Sequence, residues 1–523
     1  MKSKRLWVFF AVFVLLFTGL IIKLKNLSNS REVTVFDANN DGKADYQISL
    51  LAPGSVTWAG PETQARGYRY EKENLLVYKA RQKGRDIGTL TVTLRKIENR
   101  DLVYFIKYES LRPAPGIKAV ITAVGGNTPI TGHQIIYDRK IVNTTSKWSS
   151  FQVSPGGLFL SEHMLPKNAV FLDSPGHYLR LGLIDVYRPL KNHVRLEQYD
   201  KSQQVSVLKS KNNIDYIIPL PQELGCFTET WGVLSASPLV DWNNQKAVND
   251  AKTGDLVRYR KLSDDGIYYL TPANYYPTDK TAFWLNPAYH VAELFSKQKA
   301  GRYFRDIVIS SMYSAAAAQG KSGYWVTYPR SDWLYHDYGI PEGFYDTRFN
   351  TDAALFLLHM YGKFGESKAL ASAEKYADWL RKYAKEQGIP THGGLLVPDY
   401  YKPGVGHKKT HVSLNHLVTE MNFLYEIYMV NHDARNLKTA GLIRQAVRDT
   451  GPRWIRSDGN LHYAYIGGEK YGMQDYPLIT LNDLRLSQKL IKQIDGSPRG
   501  DEVFQMLIDA KEAYLKKNNM PIK

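Results

Sequence analysis

The chain has 523 residues, 43 % of them apolar and 23 % charged. This suits two to four globular domains and excludes disorder, collagen or coiled coil as the main state. The net charge of +17 suits an anionic polymer or surface as partner, and the single cysteine, Cys226, excludes an intrachain disulfide and a cysteine-built zinc cage.

Lys2, Lys4 and Arg5 precede a charge-free run from Leu6 to Ile22. As a helix at about 1.5 Å per residue this run reaches about 25 Å, the thickness of a thin bilayer. It ends on Lys23 and Lys25 with no Ala-x-Ala cleavage pattern. The expectation is a signal-anchor helix within residues 1–30, a cytoplasmic tip, and a membrane-anchored, extracytoplasmic body at a bacterial cell surface. No helix-turn-helix, zinc-finger or RNP signature is present, so nucleic acid is not an expected partner.

Asp37, Asn39, Asp41, Lys43 and Asp45 fall on alternate positions with Gly42 at the sixth. Alternate oxygen ligands around a glycine turn are what a Ca²⁺ loop needs. The bidentate glutamate of position 12 is replaced by Ile48, and an Asn/Asp/Gly hairpin turn is the competing reading. A structural Ca²⁺ is expected here, with no organic cofactor.

From residue 31 to 225 the chain reads as strands: Val33–Phe36, Gly88–Leu94, Leu102–Tyr108, Lys118–Val124, Tyr178–Tyr187 and Val205–Leu208 are β-branched or alternating, with turn residues between many of them. A β-sandwich or barrel-like domain is expected. From 226 to 523 apolar residues recur at helical period, predicting helices near 285–298, 302–319, 349–364, 367–387, 413–431, 434–449, 479–494 and 500–517. Long loops rich in Tyr, Gly and Pro (321–345, 389–411, 453–477) separate them. Paired helices with aromatic loops at one end describe an (α/α) toroid-like domain, and such loops can line a carbohydrate groove.

Gly343-Phe344-Tyr345, Asp399-Tyr400-Tyr401, Leu414-Asn415-His416 through Leu424-Tyr425-Glu426, Tyr463-Ala464-Tyr465 and Asp475-Tyr476 with Asn482-Asp483-Leu484 follow one another across residues 320–495. In order and spacing this set resembles the C-terminal domain of the D-glucuronyl C5-epimerases. The resemblance implies an isomerase that converts D-glucuronic to L-iduronic acid units in an anionic polysaccharide, with tyrosines as acid and base. By position it implies Tyr401 or Tyr400, Tyr463 or Tyr465, and Tyr476 as the catalytic phenols, and it implies a homodimer. The arginine of the family's Tyr-Asp-Leu-Arg segment is absent, Ile466 following Tyr465.

The chemistry makes its own demands. Removing the proton beside a uronate carboxylate needs a base near the carbon and donors on the carboxylate oxygens. An ordinary phenol, at about 10, needs cationic neighbours to act as a base at neutral pH. Lys402 and His411 sit beside the tyrosines, and Arg348 is the expected carboxylate clamp. Tyr345, Tyr400, Tyr465 and Asn482 complete the expected binding set. His416 lies in a helical stripe and reads as core. P-loop, Gly-x-Ser-x-Gly and His-Glu-x-x-His motifs are absent. Two alternatives stay open: a uronan lyase, which shares the first proton abstraction but then expels the C4 substituent, and a non-catalytic polysaccharide-binding or assembly protein.

Overall fold

The computed structural model describes residues 28–522 except 114–115, 137–146, 156–162, 211, 255–259 and 288. Within them the N-terminal half is two antiparallel sheets. Strands β1 (Ser28–Phe36), β2 (Tyr46–Pro53), β3 (Val56–Gly67), β4 (Glu71–Gln82), β5 (Arg85–Ile97) and β6 (Leu102–Ser110) open the chain. The smaller sheet joins β1 and β2 to Lys118–Ala123, Asn213–Pro219, Ser206–Ser210 and His163–Met164. The larger has Phe227–Ser235 near its middle, paired with β6, His177–Leu181 and Asp185–Pro189. In β2, buried Tyr46, Ile48, Leu50 and Ala52 alternate with more exposed residues, because one strand face meets the core and the other meets water. The Tyr46 hydroxyl donates to the Ser235 carbonyl at 2.8 Å, tying one sheet to the other.

The other face of the large sheet is apolar too, and helices cover it. Phe105, Phe171 and Trp231 share a core with Tyr303, Ile307 and Met312. Ten helices are described: α1 (Gln245–Gly254), α2 (His290–Ser296), α3 (Arg302–Ala318), α4 (Asp332–Tyr338), α5 (Thr347–Phe364), α6 (Ser367–Gln387), α7 (Leu414–Asn431), α8 (Ala434–Thr450), α9 (Ile479–Asp495) and α10 (Glu502–Lys517). Four hairpins, α2–α3, α5–α6, α7–α8 and α9–α10, stand side by side in an arc. Helices α2, α5, α7 and α9 form its inner row, and α3, α6, α8 and α10 its outer row. Within α7 every residue from Leu414 to Tyr425 is buried, so the helix has no water-facing stripe. The short turns lie at one end of the arc. The three long tyrosine-bearing loops lie at the other, where α5, α7 and α9 begin.

Two expectations differ from the structure, and a third bears on one loop. The sheet does not stop at 225: Phe227–Ser235, Arg260–Ser263, Gly266–Leu270 and Ala282–Asn286 all belong to it, and the helical arc begins only at α2. Every residue of Phe227–Ser235 is buried, and a strand covered on both faces carries no alternation to read. The membrane anchor is also corrected. Among the described residues no helix is long and apolar enough to cross a membrane, since even α7 carries Asn415, His416, Glu420 and Asn422. The run from Leu6 to Ile22 lies outside the described residues.

The third concerns the Asp37–Asp45 loop, which joins β1 to β2 and is closed by its own hydrogen bonds. Asp37 accepts the backbone N–H groups of Asn40, Asp41 and Gly42, while Asp45 accepts those of Ala38 and Asn39. The Asn39 amide donates to Asp41 and Asp45, and Lys43 offers its backbone N–H to Asp41. These are the bonds of an Asx-turned hairpin. Among the described residues no group of three or more His, Cys, Asp or Glu side chains is gathered to hold a metal ion.

Candidate active site

Two-residue strands staple the long loops to one another above the inner helices. Tyr345 and Asp346 pair with Tyr401 and Tyr400; Val412 and Ser413 pair with Tyr465 and Ala464. The segment His462–Gly467 then pairs with Lys470–Gln474. Residues far apart in sequence thus meet at the N-terminal ends of α5 and α7.

Asp399 is at the centre and is fully buried. Its backbone N–H donates to His411 O, and its own carbonyl accepts from Thr347 N–H, both at 3.0 Å. One carboxylate oxygen accepts the Ser413 N–H at 2.8 Å. The other accepts the Ser413 hydroxyl in a short bond and lies 3.1 Å from His411 Nε2 and 3.6 Å from His416 Nδ1. Tyr338 OH is 3.1 Å from His411 Nδ1. With Tyr338 as donor, the His411 proton sits on Nε2, facing Asp399. Burial alone would raise the Asp399 carboxyl, but His416, His411 and Ser413 outweigh it and hold the group below the usual carboxylate range.

Ser413 is the N-cap residue of α7, where a serine ordinarily caps the helix with its hydroxyl. Here it makes no capping bond and instead turns to Asp399. The Tyr463 ring lies 5.9 Å from that of His411, and its phenol feels the Ser413 hydroxyl. Exchangeable protons are thus gathered on Ser413, His411 and Tyr338 around Asp399, with Tyr463 beside them. Burial pushes the Tyr463 phenol well up, the Asp399 charge adds to this, and the Ser413 hydroxyl pulls it back in part. His416 is pushed down to about 4, first by burial and then by Arg348 and His411, so it is neutral at pH 7. Its Nδ1 lies 2.9 Å from the Thr347 hydroxyl.

The predicted residues divide into three groups. Tyr463 and Tyr476 meet edge to face with ring centres 5.5 Å apart, and Tyr476 is 49 % exposed. Tyr400 turns the same way, with its ring 5.8 Å from His411 and 5.9 Å from His416. Tyr401 points to the opposite side of its strand and packs on Tyr383 and His407. Tyr345 is fully buried with its hydroxyl on Tyr376. Tyr465 packs on Tyr471, and Asn482 is exposed in the first turn of α9. Arg348 lies among Asp352, at 3.1 Å, Asp483, at 2.6 Å, and the Thr419 hydroxyl, at 2.9 Å. That guanidinium is occupied in joining α5, α7 and α9.

Cationic groups line the rim. The Lys402 ammonium donates to Gly343 O, that of Lys408 to Asp337 O and that of Lys409 to Gln387 O. Carbonyl partners leave the positive charge of all three uncancelled. Sequence reasoning passed over Asp399, Ser413 and Tyr338 and read His416 as core. One available signal was an aspartate followed within twenty residues by three histidines and a serine at a helix start.

No family model matches this chain, and no curated protein matches it. Among solved structures it is similar to a family 76 glycoside hydrolase from a bovine Bacteroides thetaiotaomicron strain, at 12 % identity over 77 % of this chain and 75 % of that one, with a TM-score of 0.36. The family 76 mannosidase Bt3792 from Bacteroides thetaiotaomicron VPI-5482 aligns at 14 % identity and TM-score 0.27. That alignment covers 34 % of this chain, which spans only 45 % of the mannosidase. The unsaturated glucuronyl hydrolase from Bacillus sp. GL1 aligns at 12 % identity over 43 % of this chain and 58 % of that one, with a TM-score of 0.28. At these scores the functional reading rests on the geometry of the site.

Proposed function

We propose that the chain is a carbohydrate-active enzyme that cleaves a uronic-acid polysaccharide by β-elimination, with Tyr463 as the group that takes and returns the proton. The observation carrying this reading is the buried Asp399 carboxylate held by Ser413 and His411, with the Tyr463 ring 5.9 Å from that of His411, at a loop-lined, cationic end of the helical arc.

A half-buried phenol held above its usual range cannot wait as phenolate at neutral pH. It can act as base only by passing its own proton on as it receives another. In the proposed step the C5–H proton goes to the Tyr463 oxygen. The phenolic proton moves to Ser413 Oγ, and the serine proton moves to the Asp399 carboxylate, beside His411. The C5–H electron pair becomes the C4=C5 double bond, the C4–O bond breaks, and the departing oxygen takes the proton of Tyr463. The run then resets, Asp399 returning its proton through Ser413. The charge on Lys402, Lys408 and Lys409 draws the anionic chain to this end and favours the negative charge that develops on the substrate carboxylate.

Elimination suits the arrangement better than inversion at C5. Inversion needs donors on opposite faces of one sugar ring. Here Tyr463 and Tyr476 touch edge to face, with no ring-wide gap between them, and Tyr401 faces away.

The test is incubation of the full chain with heparosan, hyaluronan, alginate and polygalacturonate in D₂O. Elimination shortens a polymer and creates an ultraviolet-absorbing unsaturated end. Deuterium at C5 without shortening would replace this reading with epimerisation, and neither change on any polymer would remove it. Tyr463→Phe must lose the activity while still retarding in a polymer-containing gel.

A further inference from the structure

A cavity lies away from Tyr463, on the seam between the β-rich half and the helical arc. Its volume is about 380 Å³, enough for a sugar unit and within the usual range of small-ligand sites. Aromatic rings form much of its wall. Tyr68 stacks on Tyr313 with ring centres 4.3 Å apart, and His193 packs on Tyr328 at 4.1 Å. Such faces suit the CH side of a pyranose.

The charges in this cavity are of two kinds. Arg95 is matched by Glu73, at 2.9 Å, and by Glu71, at 3.7 Å; Arg66 lies 3.6 Å from Glu73. Both guanidiniums are therefore engaged by carboxyl groups. Asp264 and Asp265 differ, because their carboxylates accept only hydroxyls. Thr93 and Ser263 donate to Asp264, at 3.2 and 3.3 Å, and Tyr268 donates to Asp265 at 3.1 Å. Asp265 is exposed. Two carboxylates with spare acceptor capacity beside aromatic walls fit a ligand rich in O–H or N–H donors, and they repel a carboxylate or sulfate.

The cavity borders the candidate active site. The segment holding Tyr328 pairs with Phe344 through Thr327, Tyr328 O accepts the Gly343 N–H at 3.1 Å, and the Gly343 carbonyl holds Lys402. The phenol of Tyr324 senses both Tyr328 and Tyr401 electrostatically. The single bridge between Thr327 and Phe344 thus links the cavity wall to the lysine-bearing rim.

We infer that this cavity is a sugar-binding subsite for an uncharged or ammonium-bearing hexose unit, gripped by Asp264 and Asp265 against Tyr328, and that it excludes uronates. Treating it as a subsite of the same groove rests on the polysaccharide reading above; its choice of ligand does not.

The experiment is direct binding to the full chain, followed by saturation-transfer NMR and calorimetry. The probes are cellotetraose, chitotetraose, the fully de-N-acetylated chitosan tetramer and tetragalacturonate. Proteins are the wild type, Asp265→Asn, Tyr328→Ala and Tyr463→Phe, each checked for an unchanged melting transition. The expected result is binding of at least one uncharged or amino tetramer, unchanged in Tyr463→Phe. Asp265→Asn should weaken it about tenfold, most for the chitosan tetramer, and Tyr328→Ala should weaken both kinds about tenfold. Absence of binding by all three, or binding that Asp265→Asn and Tyr328→Ala both leave unchanged, would overturn the inference. So would tetragalacturonate binding that competes with the other tetramers. If the polymer assays fail while this pattern holds, the subsite stands and the lyase reading falls.

Discussion

In the β-rich half, buried Arg195 lies 3.2 Å from Glu229 and 3.4 Å above the Tyr268 ring, while Lys261 is held by Asp185, at 3.1 Å, and Glu197, at 3.2 Å. At the loop end of the helical half, Asp399 is equally buried, yet its partners are a hydroxyl and two imidazoles. The difference lies in what each partner can release. A guanidinium keeps its proton at any working pH, so the Arg195 pair can hold strands together but cannot pass protons. Serine, tyrosine and histidine each donate and accept, so a run of them can.

The largest expected effect tests the helical side of this contrast. On a polymer that the wild type cleaves, Tyr463→Phe should lower turnover by about 10²–10⁴-fold with KM little changed, as read by the rise of unsaturated ends. Ser413→Ala should fall in the same range, because its hydroxyl is the link to Asp399; a variant within threefold of wild type would break the proposed run.

Next is the β side. Glu229→Ala leaves Arg195 buried without its carboxylate and should destabilise the protein by about 3–5 kcal/mol in urea unfolding. Turnover per folded molecule should not change, and a selective loss of turnover at full stability would dissolve the contrast. The neighbouring carboxyl is itself perturbed: burial, against the pull of Arg195, raises Glu229 to about 7.

A pH series sharpens the comparison. His416 stays neutral in the folded protein down to about 4, whereas in the unfolded chain it takes a proton near 6.5. Between these values the unfolded state binds more protons, so this group's contribution favours folding above 6.5 and is lost as the pH falls toward 4. The loss amounts to about 3 kcal/mol at most. Comparing urea midpoints of wild type and His416→Asn at pH 7 and pH 4.5 should show the wild type's relative advantage shrinking; growth of that advantage would show the imidazole to be charged in the fold.

The smallest effect is expected at Tyr476. Half of its surface faces water and its ring only abuts Tyr463. Tyr476→Phe should cost less than about tenfold in turnover, within the reach of a positioning contact. A loss as large as that of Tyr463→Phe would make both phenols proton carriers and return inversion to consideration.

Much of this architecture was legible in sequence because it follows from periodicity. Helix α6 was expected at 367–387 and is observed as Ser367–Gln387, its buried residues recurring at helical spacing. The tyrosine loops were legible from their composition and length. Helices α1 and α4, with ten and seven residues, are too short for a periodic signal. Tyr178–Tyr187 read as one strand but is two, His177–Leu181 and Asp185–Pro189, separated by Gly182–Ile184. Arg348 was visible as a cation near the site, but its engagement with Asp352 and Asp483 depends on α5 and α9 being neighbours.

Local order, then, was decided by sequence: which stretches form strands, which form helices, and which end of each helix carries aromatic loops. Those properties depend on side-chain spacing along a few turns of backbone. Tertiary structure alone decided partnership. Whether Ser413 caps its helix or bonds to Asp399, whether Tyr400 or Tyr401 faces the histidines, and whether a guanidinium is open or engaged depend on loops brought together across tens of residues. Hydrogen bonding acts over about 3 Å, so no pattern along the chain can stand in for that contact.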